Sequence, residues 1–128
     1  MDRIDLHIEV PAVPFEALTR LEYGESSAQI RARVLAAQRR GRKRLKPLGL
    51  FCNAQLRHRD LRTVCPLTEE ATALLKSAMH DFQLSARSYD KILKISRTIS
   101  DLAGSEEILP DHIAEAIQYR SLDRQLWL

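Results

Sequence analysis

Two arginines, a serine and a run of cations are the residues whose types and spacing could do chemistry in this sequence. Arg87 stands two residues past Ser85, at the start of a stretch, Leu84 to Gly104, that reads as a helix marked at both ends. Ser85 suits the N-cap, because its hydroxyl can accept from an otherwise unpaired backbone N–H. Gly104 suits the C-terminal stop, because glycine enters the left-handed region without a Cβ penalty. An arginine in a first turn opposes the helix dipole at a cost of a few tenths to about 1 kcal/mol. The same positive end is a natural seat for a phosphate. Ser85 and Arg87 are thus an anion-site candidate. The competing reading is a solvated arginine, or one paired with Asp90 one turn on.

Arg3 lies in Asp2-Arg3-Ile4-Asp5, where the plain reading is a surface ion pair. The third feature is a cationic run. From Ser27 to Lys46 there are eight basic residues and no acidic one. Within it Arg39, Arg40, Arg42, Lys43, Arg44 and Lys46 are candidates for contact with nucleic-acid phosphates. The alternative is a solvated helix face whose arginine stems cover apolar surface.

Other chemistries find no parts. No glycine-rich GxxxxGK[ST] loop is present and no nucleophile elbow, so self-contained catalysis is not expected. Cys52 and Cys65 are too far apart for a CxxC pair, and the histidines form no HxxxH pattern, so no metal site is expected. No apolar run approaches the length of a membrane span and no signal peptide is evident, which leads to the expectation of a soluble cytoplasmic protein without a membrane partner.

These residues need elements to hold them. Aromatic content is only 5%, so the core must be aliphatic, which favours packed helices over a sandwich of strands. Met1 to Val10 alternates, with Ile4, Leu6, Ile8 and Val10 on one side, and reads as one strand ended by Pro11 and Pro14. A lone strand is unstable in water, so its sheet is expected elsewhere and the chain is expected to be cut from a larger protein. Residues 1–24 are then a last strand and linker, and 25–128 a helical domain. Ser26 or Ser27 opens a helix through Ile30, Val34, Leu35 and Ala37 to about Arg40 or Arg44. Asn53 caps a short turn through Leu56 and Arg59. Thr68 caps a strong helix with a stripe of Ala71, Leu74, Leu75, Ala78, Met79 and Phe82. In the central helix Tyr89, Ile92, Leu93, Ser96, Ile99 and Ala103 share the face to be buried. Pro110 reads as a first helical position, with Ile113, Ala116 and Ile117 facing inward. The tail ending in Trp127 has no clear role. The expected fold is all-α, a small bundle of about four helices preceded by one strand.

The sequence resembles the C-terminal part of magnesium-chelatase-like AAA+ ATPases, specifically of the ComM (YifB-like) type. The resemblance rests on Asp2 to Pro11, on Glu25-Ser26-Ser27 with Arg31-Ala32-Arg33-Val34, on Asn53 to Leu56, and on Ser85-Ala86-Arg87-Ser88-Tyr89. It continues through Arg97 to Glu106 and His112 to Arg120. It implies that the strand is the last of an ATPase core and that the bundle is the AAA+ C-terminal lid. Arg87 then matches the sensor-2 arginine, which reads the γ-phosphate of ATP held by its own subunit. Arg3 matches an arginine finger acting in trans, with Asp2 in place of the serine of the related helicase motif. The implied partners are an upstream ATPase core, neighbouring subunits of a ring, expected to be a hexamer, and DNA. ATP and magnesium belong to the full-length protein, and neither is expected on this fragment alone. The basic helix matches the insertion that precedes sensor 2. Two alternatives stand beside this reading: a stand-alone basic helical module for DNA binding or scaffolding, and the lid of a true magnesium-chelatase ATPase subunit.

Overall fold

Ser26 starts the first helix, α1 (Ser27–Leu45). Its hydroxyl accepts from the Gln29 N–H at 3.2 Å, and the Gln29 side chain accepts from the Ser26 N–H at 3.0 Å. This reciprocal cap satisfies two donors that the first turn would otherwise leave open. A computed structural model describes residues 5–8, 10, 12, 14–16 and 24–120. Two 3₁₀ turns, Lys46–Leu48 and Asn53–Gln55, lead from α1 to α2 (His58–Val64). They are followed by α3 (Glu69–Asp81), α4 (Ala86–Ala103) and α5 (Pro110–Tyr119). The chain is an all-α bundle, as the aliphatic composition implies, and the described residues form no sheet.

The caps of α3, α4 and α5 fall where local chemistry puts them. The Thr68 hydroxyl accepts from the Ala71 N–H at 3.1 Å. The Ser85 hydroxyl accepts from the Ser88 N–H at 3.2 Å. Gly104 ends α4 with φ of 74°, and the Ser105 N–H returns to the Ser100 carbonyl at 2.8 Å. Pro110 opens α5 behind Leu109, whose N–H is received by His112 Nδ1 at 3.0 Å.

Helix α2 departs from the expected single turn capped by Asn53. The chain breaks at Leu56 and restarts after Arg57, whose backbone N–H donates to the Asp60 carboxylate at 3.1 Å. That bond, reinforced by the Arg57 side chain, holds the Asp60 carboxyl below its ordinary value. Arginine is a poor N-cap by type, so the start of α2 is set by Asp60 reaching back.

Helix α4 is the central element and packs against α1, α5 and α2. Its buried residues are Ile92, Leu93, Ser96, Arg97, Ser100 and Asp101. The expected stripe is correct through Ser96, with Tyr89 and Ile99 at its edges, but Ala103 is exposed. Around it gather Leu45, Leu56, Leu61, Leu75, Ile108 and Ile113, each 4% exposed or less. Phe82, placed on the inward stripe of α3 by its spacing, is 44% exposed because it lies past the helix end. The loops before α3 and α5 meet in a parallel bridge between Leu67 and Ile108. There the Ile108 N–H donates to the Pro66 carbonyl at 2.8 Å.

Two features qualify the expectations. Residues 5–8 form no ladder with the other described residues, and the sheet of the expected strand was placed outside this chain. A strand needs a partner edge, and none of the described segments offers one. This segment lies instead on the bundle. The His7 N–H donates to the Tyr119 carbonyl at 2.7 Å, Arg120 Nη1 donates to the Asp5 carbonyl at 3.2 Å, and Lys91 pairs with the Asp5 carboxylate at 3.2 Å. Its alternation is inverted relative to the bundle: His7 is buried, whereas Leu6 and Ile8 point outward. The second feature concerns α1. Ile30, Val34 and Leu35 are exposed, and inward burial begins only at Ala37. The first half of α1 thus runs past the end of its packing partner.

Candidate functional site

The N-terminal end of α4 presents the residues singled out first. Ser85 is the N-cap and Arg87 is the second helical residue, with its side chain exposed. The cap hydroxyl accepts from the Ser88 N–H, which belongs to the first turn that also carries Arg87. Asp90, one turn on, is engaged by His58 Nδ1 of α2 at 2.7 Å. This contact fastens the start of α4 to the start of α2.

Arg87 borders a groove of about 780 Å³ between the N-terminal segment and α4, whose walls include Leu6, Ile8, Lys91, Ile95 and Leu102. Helix α4 lends the groove both cations, Arg87, Lys91 and Lys94, and aliphatic side chains, and Asp5 and Glu115 add acidic groups to its lining. Arg3, the second candidate, lies outside the described residues, as does Trp127.

The cationic run divides into two sets. Arg39, Arg42, Lys43 and Lys46 are exposed. Arg40 and Arg44 turn toward the bundle. Arg40 Nη1 donates to the Asp101 carbonyl at 2.7 Å, a second bond to an oxygen that also accepts from the Gly104 N–H at 3.2 Å. Arg44 grips the Asp101 carboxylate with both terminal nitrogens, and its Nη1 also meets Asn53 Oδ1 at 3.3 Å. Arg33, nearer the start of α1, is paired with Glu25.

Spacing alone missed the polar centre behind that contact. Arg97 is 2% exposed. It donates to the carbonyls of Glu106 at 2.9 Å, Ser105 at 2.8 Å and Val64 at 3.4 Å. It also pairs with Asp101 at 3.5 Å. Burial, and then the nearby Arg44 charge, lower the Arg97 guanidinium from its ordinary value, while Asp101 opposes the shift. The signal in the sequence was the i, i+4 pair Arg97 and Asp101 placed one turn beyond Leu93 on the inward face. Cys65 lies beside this centre, and burial pushes its thiol up to about 11. No three histidine, cysteine, aspartate or glutamate side chains among the described residues converge on a metal-sized space.

This arrangement of capped helix, first-turn arginine and preceding basic helix can be compared with known proteins. Residues 24–120 match the family described as magnesium chelatase, subunit ChlI C-terminal. The chain belongs to this magnesium-chelatase-like family. Across 98% of its length it is 39% identical to the competence protein ComM of Haemophilus influenzae. It is 38% identical to the protein YifB of Escherichia coli and 36% identical to YifB of Salmonella typhimurium, again over 98% of its length. The chain spans about a quarter, 24%, of the length of each of these relatives. The described bundle, from Gly24 to Arg120, coincides with the extent of the family match. No described helix of this magnesium-chelatase-like domain is long and apolar enough to cross a membrane.

Proposed function

We propose that this domain is the sensor-2 lid of a magnesium-chelatase-like AAA+ ATPase that remodels DNA during competence. Arg87 would read the γ-phosphate of ATP bound by the same subunit, and α4 would carry the resulting motion into the bundle. Arg3 would act as the finger toward a neighbour's ATP in a ring. The observation that supports this most is the position of Arg87: exposed, second in an eighteen-residue helix, and two residues past its Ser85 cap.

Phosphoryl transfer is catalysed mainly by positioning and by charge placed on the transferring oxygens. A guanidinium is suited to this, because it stays charged and forks onto two oxygens. The positive end of α4 adds to its field. Magnesium would arrive with the nucleotide and be held by the upstream core, since the described residues offer it no ligand cluster.

The test uses the full-length protein. Arg87→Ala should cut ATP turnover on the order of 10³-fold, the scale of transition-state arginines, while the circular dichroism spectrum is unchanged. Unaltered turnover would refute the assignment. Arg3→Ala should lose turnover in uniform rings and regain it in rings mixed with subunits that carry an intact finger but cannot hydrolyse ATP themselves.

A further inference from the structure

We propose that Arg39, Arg42, Lys43 and Lys46 form a single stripe that tracks the phosphate backbone of DNA, and that Arg40 and Arg44 take no part in it. At 100° per residue the four lie within about 100° of one another on α1 and its continuation, at i, i+3, i+4 and i+7. Ala37, Gly41 and Leu45, the buried residues of the helix, centre about 150° away on the same wheel. The stripe thus faces directly away from the bundle.

Three observations favour a polyanion over a protein surface. The four side chains are exposed, and none enters an ion pair with a described residue. No acidic residue occurs between Ser27 and Lys46 to neutralise them. Between Arg39 and Lys46 the stripe also contains no apolar residue, whereas the core of a protein interface is depleted of charge and rich in apolar side chains. The exposed Ile30 and Val34 of α1 lie on the opposite side, in line with the buried face, and Leu35 sits one turn before Arg39, at the N-terminal edge of the stripe. From Arg39 to Lys46 the stripe runs about 10 Å, a length over which duplex DNA presents about six phosphate charges.

The structure thereby splits the cationic run by partner. Arg40 and Arg44 are spent on Asp101, so replacing them weakens the fold, whereas replacing the stripe weakens binding alone. The contact is electrostatic and carries no base readout, so it tolerates any sequence.

This inference shares with the proposed function only the premise that the protein acts on DNA. It needs neither ATP nor Arg87, and so the two can fail separately. The experiment is fluorescence anisotropy of a labelled 20-base-pair duplex titrated with the 128-residue chain at 50 to 200 mM salt. Four phosphate contacts give a log–log salt slope of about −3.6, or about a 150-fold loss of affinity across that range. In Arg39→Gln/Arg42→Gln the slope should fall to about −1.8, a loss of about 12-fold across the same range. Lys76→Ala, which removes an exposed cation on α3, should leave the slope as it was. Absence of binding at 50 mM salt, a slope unchanged in the double variant, or an equal loss in Lys76→Ala would each overturn the stripe. Binding to polyglutamate in place of DNA would assign it to an acidic protein and overturn it likewise.

Discussion

Removing Asp101 should be among the most damaging single changes to this fold. Its side chain is 3% exposed and stands between Arg97, 2% exposed, and Arg44, 19% exposed. Asn53 Nδ2 donates to it as well, at 3.2 Å. In Asp101→Ala two guanidinium groups remain with their like charges facing each other and no anion between them. Deleting one partner of a buried ion pair costs about 3–5 kcal/mol. A chain of this length has a total stability of about 6–19 kcal/mol, so the loss is a large share of it. At about 4 °C per kcal/mol for a domain of this size, the melting temperature should fall by about 12–20 °C. Circular dichroism at 222 nm reads the transition, and urea unfolding gives the free energy. Arg44→Met in the same background removes one of the two repelling charges, so the double variant should lose at least about 1 kcal/mol less than the sum of the singles. A drop of less than about 4 °C, or strict additivity, would show that Asp101 does not organise this centre.

Two glycines should respond oppositely to alanine. At Gly41, inside α1, a Cβ meets nothing closer than 3.8 Å, so Gly41→Ala should stabilise by about 0.5–1 kcal/mol through helix propensity. At Gly104 the φ of 74° and a contact of 3.3 Å with Arg40 make Gly104→Ala cost about 1–2 kcal/mol, both read by urea unfolding. Cys65 gives a pH dependence. Its folded value of about 11 lies above the ordinary 9.0, so the neutral thiol favours the folded state. Its contribution is complete below pH 9 and is lost between about pH 9 and 11, which makes melting temperature fall more steeply there than in Cys65→Ala. At pH 8 a thiol reagent should label exposed Cys52 and reach Cys65 only on unfolding.

The parts that were legible in the sequence are those fixed by local chemistry. Ser26, Thr68, Ser85, Pro110 and Gly104 each act on backbone groups within a few residues, so their types reveal the element ends. The aliphatic spacing of α4 likewise located its inner face, because periodicity is a property of one helix. What was hidden depends on partners distant in sequence. Arg97 and Asp101 read as surface charges until Arg44, Val64 and Ser105 are brought to them. Arg40 and Arg44 look the same in sequence as Arg39 and Lys43, since only the approach of α4 distinguishes the two sides of α1. Ile30, Val34, Leu6 and Ile8 show a second limit: a pattern marks an apolar face without saying what covers it. At the candidate site, the helix end and the place of Arg87 were readable, whereas the His58–Asp90 contact that fastens it was not.

The two ends of α4 are held by different contacts, the His58–Asp90 pair near Arg87 and a larger set near Gly104, and this has a mechanical meaning. At the Gly104 end, Arg40 and Arg44 bind α1 to the helix, and Arg97 joins it to the end of α2 and to the loop before α5. That loop is in turn bridged to the loop before α3 through Leu67 and Ile108. On the proposed reading of Arg87, the helix and its attachments would turn as one lever about 27 Å long. A tilt of about 10° at the Arg87 end carries the far end through about 5 Å over that length. In that motion the load at the far end would be α1, and the same two arginines that are withheld from its outer surface would couple that surface to the helix.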